Sequence, residues 1–223
     1  MSASLLAAHL QKSARNLAEI DSGLLAFLVN LENVARVAPV VADGILQELV
    51  DQRNNVKLIA SENYSSLSTQ SAMANLLTDK YAEGFPEHRF YAGCHNVDSI
   101  EAYAAEQARE LFGAEHAYVP PHSGADANMV AFWAILNARV ETPAVAEFGA
   151  KDSAELSDEA WEKVRQRLGN QRLLGMDLRA GGHLTHGYRK NVSAKMFRPY
   201  SYGVSPETNL IDYDALAAQA AEV

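Results

Sequence analysis

Apolar side chains recur at every third or fourth position through the first part of the chain. This spacing, from residue 4 to about residue 36, predicts helix, because residues three and four apart share one face of an α-helix. The apolar positions are Leu5, Leu6, Leu10, Leu17, Ile20, Leu24, Leu25, Leu28 and Leu31. Pro39 then begins a second predicted helix over residues 40–53, whose apolar face carries Ile45, Leu46 and Leu49. We interpret residues 1–38 as a helical extension that adds a layer at the subunit surface or interface.

Capping residues mark three further helices. Ser68 predicts the start of a short helix that ends near residue 77. Asp98 with Glu101 resembles a capping box, and the helix that follows is expected to stop at Gly113. Asp212 predicts the start of the last helix, which runs to about residue 222.

Short strand patterns alternate with these helices in the second half of the chain. Residues 172–176 and 196–200 read as strands, and this alternation predicts an α/β fold with a mostly parallel sheet and flanking helices. Residues 142–169, with a helix capped by Ser157, are interpreted as a surface insertion without a motif of its own. Residues 39–223 are then expected to form an incomplete α/β domain that ends on a helix.

Composition and charge narrow the classes of function. The 223 residues are 48% hydrophobic and 21% charged, as in an ordinary globular protein of one large or two small domains. A net charge of −9 argues against sequence-independent binding to nucleic acid or to an anionic membrane. Cys94 is the only cysteine, which fits a reducing compartment. The sequence shows no apolar run of about 18 residues and no signal-peptide pattern, so a cytoplasmic protein is expected.

Candidate chemistry begins where an extended apolar stretch, 117–119, breaks at two prolines. Residues 121–128 read Pro-His-Ser-Gly-Ala-Asp-Ala-Asn and lead directly into a helical pattern. Ser123, Gly124 and the N–H group of Ala125 would lie at the positive end of that helix, where proteins commonly hold a phosphate. The same joint also fits a plain helix cap, so this run alone does not decide the function.

Four other motifs flank this turn. They are Leu-Ile-Ala-Ser-Glu-Asn-Tyr at 58–64, Lys-Tyr-Ala-Glu-Gly-Phe-Pro at 80–86, Arg-Phe-Tyr-Ala-Gly-Cys at 89–94 and Gly-Gly-His-Leu-Thr-His-Gly at 181–187. In this order the motifs closely resemble serine hydroxymethyltransferase, over residues 40–136 and 173–223. The resemblance implies a pyridoxal-phosphate transferase of the aspartate-aminotransferase-like fold, fold type I, with this chain forming part of its large domain.

The resemblance assigns the cofactor residues. Ser123, Gly124 and Ala125 are expected to hold the phosphate of pyridoxal phosphate, with Tyr81 near the phosphate region. The imidazole of His183 is expected to stack on the cofactor ring and to serve catalysis, although a loop histidine bonded to backbone is the plain structural interpretation. His186 is given a supporting role, because the spacing of the two histidines is a weak match to a zinc site.

The resemblance also assigns the substrate residues. Glu83 is expected to transfer a proton beside the substrate hydroxymethyl group and the folate, reaching in from the partner subunit. Ser61, Tyr81 and Tyr91 are expected to contact the amino-acid substrate. The residues matching the folate-binding positions are Leu178, Gly182, His183, Leu184 and Phe90, where Phe90 stands at a position commonly occupied by Tyr. Taken singly, each of these residues also fits a structural role.

The implied activity is glycine hydroxymethyltransferase, which interconverts serine and glycine with tetrahydrofolate as the one-carbon acceptor. None of the chain's seven lysines lies in the threonine-rich context of the family's Schiff-base lysine. We therefore expect an N-terminal portion of the enzyme, inactive alone, that partners a second copy in a homodimer or higher oligomer, or the remainder of its own polypeptide. The alternative is a non-catalytic truncated relative that acts as a dimerisation or binding module. The DNA downstream of codon 223 would discriminate the two.

Overall fold

The computed structural model describes residues 4–13 and 20–223. The chain divides into two compact units, Met1–Ala102 and Tyr103–Val223. One residue of the predicted N-terminal helical pattern, Leu17, lies outside the described residues. Within the described ranges, no helix combines the length and the apolar character needed to cross a lipid bilayer.

The first unit consists mainly of helices. They are α1 (Leu5–Ser13), α2 (Ser22–Val37), α3 (Pro39–Asn54), α4 (Leu67–Met73) and the first part of α5 (His95–Phe112). The side chain of Asp21 caps α2 by accepting a hydrogen bond from the Leu24 amide at 2.9 Å. Pro39 occupies the first turn of α3 as predicted, since its missing N–H has no helical partner to lose there.

The packing between α2 and α3 forms the apolar centre of this unit. Leu31 and Ala42 are buried there. The predicted apolar face of α3 is only partly covered, because Leu46 is half-buried whereas Ile45 and Leu49 are exposed. The spacing therefore predicted the helix correctly, but the extent of its burial is smaller than the pattern indicates.

Two of the predicted helix starts are wrong. Ser66, not Ser68, caps α4, because its extended backbone lets its hydroxyl accept from the Thr69 amide at 3.1 Å. A short 3₁₀ turn, Leu76–Asp79, then follows α4. Asp98 lies in the first turn of α5 instead of capping it, and its carboxylate binds Arg89.

A small hairpin precedes α5. Strands β1 (Gly84–Phe85) and β2 (His88–Arg89) pair in antiparallel register, with Gly84 opposite Arg89. The predicted stop of α5 is confirmed, since Gly113 adopts the left-handed conformation with φ of 61°.

The second unit contains a parallel strand pair. Strands β3 (Arg172–Met176) and β4 (Arg198–Tyr202) run in register from Arg172 opposite Arg198 to Met176 opposite Tyr202. The predicted second strand begins two residues too early, because Met196 ends a one-turn helix, α9 (Ser193–Met196). The parallel pair and its surrounding helices confirm the predicted α/β class. Those helices are α6 (Gly124–Leu136), α7 (Thr142–Glu147), α8 (Asp158–Gly169) and α10 (Tyr213–Glu222), the last capped by Asp212 as predicted.

The segment interpreted as a surface insertion, residues 142–169, is packed into this unit. Ser157 caps α8 as predicted, accepting from the Ala160 amide at 3.3 Å. Ala144, Val145 and Val164 are buried, and Val164 has no exposed surface. These side chains make the segment part of the apolar core of the unit rather than a layer lying wholly on its surface.

Candidate functional site

The amino terminus of α6 presents the predicted phosphate-binding residues to solvent. Ser123 has the extended backbone of an N-cap, and its hydroxyl accepts from the Asp126 amide at 3.1 Å. Gly124 and Ala125 follow in the first turn, where backbone N–H groups have no helical acceptor. All three residues are exposed, and a side chain at Gly124 would meet only open space. A hydroxyl and free N–H groups at the positive end of a 13-residue helix suit a phosphate.

One acidic group lies beside this helix end. The Ser123 hydroxyl is 2.9 Å from the Asp126 carboxylate, to which it donates its hydrogen. An anion at this position therefore binds chiefly through backbone N–H groups, unless the hydroxyl turns away from Asp126.

The histidine motif forms a tight turn at the carboxyl end of β3. The Asp177 amide donates to the Tyr202 carbonyl of β4 at 2.7 Å, and the Asp177 side chain caps the 3₁₀ turn Leu178–Ala180. The Gly182 amide then returns to the Asp177 carbonyl at 2.9 Å. Ligands of α/β proteins bind at the carboxyl ends of parallel strands, and this turn places His183 there.

Gly181 and Gly182 permit this turn for different reasons. Gly181 has a φ of 100°, which residues with side chains rarely adopt. A Cβ atom at Gly182 would lie 1.9 Å from the Met176 carbonyl oxygen, so the backbone passes too close for any side chain. The exposed side chains of His183 and Leu184 follow directly.

Helix α6 and the histidine turn meet within the second unit. The Asn128 side-chain amide donates to the Thr185 hydroxyl at 2.7 Å, and Thr185 is buried. A cleft of about 200 Å³ lies between them and is lined by Ala125 of the helix end and by Thr185 of the turn. The structure thus places one predicted phosphate residue, Ala125, and one residue of the histidine motif, Thr185, at the same cleft.

A second cavity is lined by residues of β3, β4 and the histidine turn. Its volume is about 390 Å³, and its lining includes Leu178, His183 and His186. Two residues predicted to face folate, Leu178 and His183, therefore share one cavity, whereas Gly182 and Leu184 are adjacent in the chain but do not line it. The rings of His183 and His186 are 6.2 Å apart, and the described residues contain no group of three or more potential metal ligands.

The remaining predicted residues lie in the first unit, and all but Ser61 lie in or next to the β1–β2 hairpin in the chain. The Arg89 side chain is only 6% exposed and donates to the Ala82 and Gly84 carbonyls at 2.8 and 3.1 Å. It also binds the carboxylates of Asp98, at 2.7 Å, and Glu101. Hydrogen bonding to Arg89 lowers the pKa of Asp98 below its ordinary value. Arg89 therefore links the residues on either side of Glu83 to helix α5.

Two predicted tyrosines meet beside this hairpin. The rings of Tyr81 and Tyr91 pack edge to face with centroids 5.1 Å apart. The thiol of Cys94 is buried and lies 3.5 Å from the Tyr81 carbonyl and 3.3 Å from the Tyr91 carbonyl, so this cysteine packs as a small buried side chain. Glu83 is exposed, and its backbone carbonyl accepts from the Phe90 amide at 3.1 Å.

Ser61 and Phe90 are less constrained by the structure. Ser61 is exposed in a segment without regular structure. The ring of Phe90 is 81% exposed, although its backbone belongs to the hairpin region. Ser61, Tyr81, Glu83, Phe90 and Tyr91 thus belong to the first unit, and the phosphate and histidine residues belong to the second.

Three residues with clear structural roles near these groups received no role from the sequence. Arg89 begins one of the quoted motifs, Thr185 lies inside another, and Asn128 ends the phosphate run. Motif membership could have drawn attention to them. Their partners could not be predicted, because Asn128 and Thr185 are 57 residues apart in the chain.

Comparison with known proteins identifies the family. The serine hydroxymethyltransferase family model matches residues 34–145 and 163–223. A serine hydroxymethyltransferase from Treponema pallidum (strain Nichols) is 60% identical over 220 residues, which cover 99% of this chain and 38% of the relative. One from Mycolicibacterium smegmatis is 58% identical over 202 residues, or 91% of this chain and 41% of the relative. One from Chlamydia trachomatis serovar D is 46% identical over 225 residues, or 99% of this chain and 44% of the relative.

These matches confirm the predicted resemblance and its fold class, the α/β fold type I of pyridoxal-phosphate enzymes. The chain spans about two-fifths of the length of these curated relatives. Residues 146–162 separate the two matched segments, so the family model departs from this chain inside the predicted insertion. With most of its length matched by the family model, the chain belongs to the serine hydroxymethyltransferase family.

Proposed function

We propose that this chain supplies part of the active site of a glycine hydroxymethyltransferase that interconverts serine and glycine with tetrahydrofolate. The observation that carries the proposal is the meeting of the α6 amino terminus with the histidine turn around a shared cleft. Family membership supports the same activity, because the relatives compared above are named serine hydroxymethyltransferase.

Pyridoxal phosphate fits the donor groups of the α6 amino terminus and of the histidine turn, where Ala125 lines the cleft and His183 lines the larger cavity. Its phosphate would be held by the N–H groups of Gly124 and Ala125 and by the Ser123 hydroxyl, and its ring would lie against the imidazole of His183. When bound, this cofactor supplies an aromatic ring that withdraws electrons from the α-carbon of an amino acid. The protein residues would then orient the substrate, and Tyr81 of the partner subunit would contact the phosphate region.

The hairpin region supplies the residues proposed for the substrate. Glu83 would hold or move a proton at the hydroxyl oxygen of serine, and Ser61, Tyr81 and Tyr91 would contact the amino-acid substrate. The predicted folate contacts are Leu178, Gly182, His183, Leu184 and Phe90. The exposed side chain of Glu83 and the hydrogen bond of its backbone carbonyl to the Phe90 amide support this role, because a proton-transfer group must reach a ligand from a held backbone.

We further propose that a second copy of the chain, or the remainder of its own polypeptide, covers apolar surface of the first unit. Large apolar side chains are exposed in this unit, including Leu58 at 90% and Leu76 at 87%. Extensive exposure of large apolar side chains is typical of a surface that a partner covers. We also propose assembly as a homodimer or higher homo-oligomer and a cytoplasmic location, and the net charge of −9 argues against a nucleic-acid partner.

A chimera tests the proposed function. Residues 1–223 replace the aligned portion of the Treponema pallidum relative, which supplies the remaining length of a whole enzyme. We expect serine cleavage that depends on both tetrahydrofolate and pyridoxal phosphate. A chimera that folds and binds the cofactor but does not cleave serine would contradict the proposal.

Matched serine variants test the phosphate site in the same chimera. Ser123 and Ser157 both cap helices of the second unit, but only Ser123 belongs to the proposed site. Ser123→Ala should weaken pyridoxal-phosphate binding about tenfold, the effect of losing one hydrogen bond to a charged group. Ser157→Ala should leave the affinity unchanged. Equal effects of the two variants would mean that Ser123 acts as a helix cap alone.

A further inference from the structure

Thr185 lies at the centre of a buried hydrogen-bond relay. Its side chain is one of two buried polar side chains among the described residues, the other being Ser193, and Thr185 itself is 4% exposed. Its hydroxyl oxygen lies 2.7 Å from the Asn128 amide nitrogen, 2.7 Å from His183 Nδ1 and 3.3 Å from His186 Nδ1. The Thr185 backbone N–H also points to His183 Nδ1, at 3.2 Å.

The donors in this relay determine where the imidazole protons lie. A backbone N–H can only donate, so Nδ1 of His183 must accept and carries no proton. The Thr185 hydroxyl has a single hydrogen, which it donates to that same Nδ1. The two lone pairs of the hydroxyl oxygen then accept from the Asn128 amide and from Nδ1–H of His186. Every hydrogen-bonding capacity of this buried hydroxyl is thereby used.

From this geometry we infer that Asn128 and Thr185 are positioning residues that hold His183 as the Nε2–H tautomer and His186 as the Nδ1–H tautomer. The relay also fixes the His183 ring relative to helix α6. Asn128 lies five residues after Ser123, or about 7.5 Å along the helix axis. The contacts proposed for the cofactor phosphate and for the cofactor ring are thus held at a set separation. The benefit to cofactor binding rests on the proposed function, whereas the tautomers do not.

Nitrogen-15 spectra of the histidine rings test the tautomers directly in the 223-residue chain. Two-bond proton–nitrogen couplings distinguish the tautomers, and His183→Gln and His186→Gln assign the two sets of signals. We expect opposite tautomers at His183 and His186. Thr185→Val, which keeps the side-chain shape but removes the hydroxyl, should shift each tautomer ratio about fivefold toward the other form, the effect of one hydrogen bond.

Two control variants separate the relay from a general loosening of the turn. Thr185→Ser keeps the hydroxyl and should preserve both tautomers. Ser193→Ala removes the other buried hydroxyl, which contacts Asn191 and the Gly187 amide but no histidine, and should also preserve them. If Thr185→Val does not fold, Asn128→Leu removes the hydrogen bond from helix α6 to the Thr185 hydroxyl instead. We expect it to shift the tautomer ratios in the same direction. Unchanged tautomers in the folded Thr185→Val or Asn128→Leu chain would overturn the inference.

Pyridoxal-phosphate affinity, measured in the chimera, separates the relay from the proposed function. We expect Thr185→Val to weaken binding about fivefold and Thr185→Ser to leave it unchanged. A tautomer shift without a change of affinity would uphold the relay and refute the proposed contact between His183 and the cofactor. A change of affinity without a tautomer shift would overturn the relay.

Discussion

Gly181 and Gly182 of the histidine turn are each required for a different reason, one for its backbone conformation and one for lack of space, and two alanine variants separate these reasons. Gly181 has a φ of 100° and open space where a Cβ would lie, so Gly181→Ala introduces backbone strain alone. That strain costs about 1–2 kcal/mol for an ordinary residue in the left-handed region. Gly182 has no such φ but would place a Cβ 1.9 Å from the Met176 carbonyl oxygen. Gly182→Ala therefore introduces a clash alone.

The size of the clash sets the expected loss of stability. Ordinary contacts of a Cβ begin near 3.4 Å, so the backbone must move by about 1.5 Å to accept one at Gly182. A movement of that size breaks the hydrogen bond from the Gly182 amide to the Asp177 carbonyl and disturbs the adjoining one from Gly181 to Leu178. With each bond worth about 1 kcal/mol and further strain in the turn, we expect a loss of about 3 kcal/mol.

Urea unfolding monitored by tryptophan fluorescence measures both variants. Trp133 and Trp161, the two tryptophans of the chain, belong to the same unit as the turn. The free energy of unfolding should fall by about 1–2 kcal/mol in Gly181→Ala and by about 3 kcal/mol in Gly182→Ala. A Gly182→Ala chain as stable as the parent, or more stable than Gly181→Ala, would refute the close approach of the Met176 carbonyl.

Three further predictions address the hairpin and the core. Glu83→Gln in the chimera should lower folate-dependent serine cleavage by about 10²–10⁴, measured against Glu87→Gln on the same hairpin, and near-normal turnover would refute the proton-transfer role. Because the pKa of Asp98 is lowered in the folded chain, its carboxylate stabilises the fold above the ordinary value of 3.8, and this stabilisation is lost as the pH falls below that value. The urea midpoint of Asp98→Asn should therefore fall less steeply with decreasing pH than that of the parent chain. Val164→Ala should cost about 2 kcal/mol in urea unfolding, whereas the exposed Val130→Ala should cost far less; equal losses would contradict the burial of Val164.

Local signals predicted those elements whose ends are determined by nearby residues. Pro39, Gly113 and Ser157 act within one turn of the helix they begin or end, and each prediction is confirmed. The two wrong helix starts, at Ser68 and Asp98, have different causes. Ser66 supplies the cap of α4 two residues earlier, and the Asp98 carboxylate binds Arg89, a partner nine residues away.

The sequence pattern did not predict which apolar residues are buried by distant parts of the chain. The apolar positions of α3 share one face as predicted, yet Ile45 and Leu49 on that face are exposed. Conversely, residues 142–169 lack a motif but bury Val164 completely. A periodic pattern identifies which face of a helix is apolar, but the neighbouring elements decide how much of that face is covered.

In the candidate site, too, short motifs could be recognised from the sequence, whereas contacts between distant residues could not. Motifs identified the residues proposed to contact ligands, because those residues lie in short turns whose sequences are distinctive. The residues that hold the turns in place act across the chain: Arg89 joins the hairpin to α5, and Thr185 joins the histidine turn to α6. Each holding residue lies in the same unit as the turn that it fixes. The hairpin and the histidine turn are therefore each held by hydrogen bonds within their own unit.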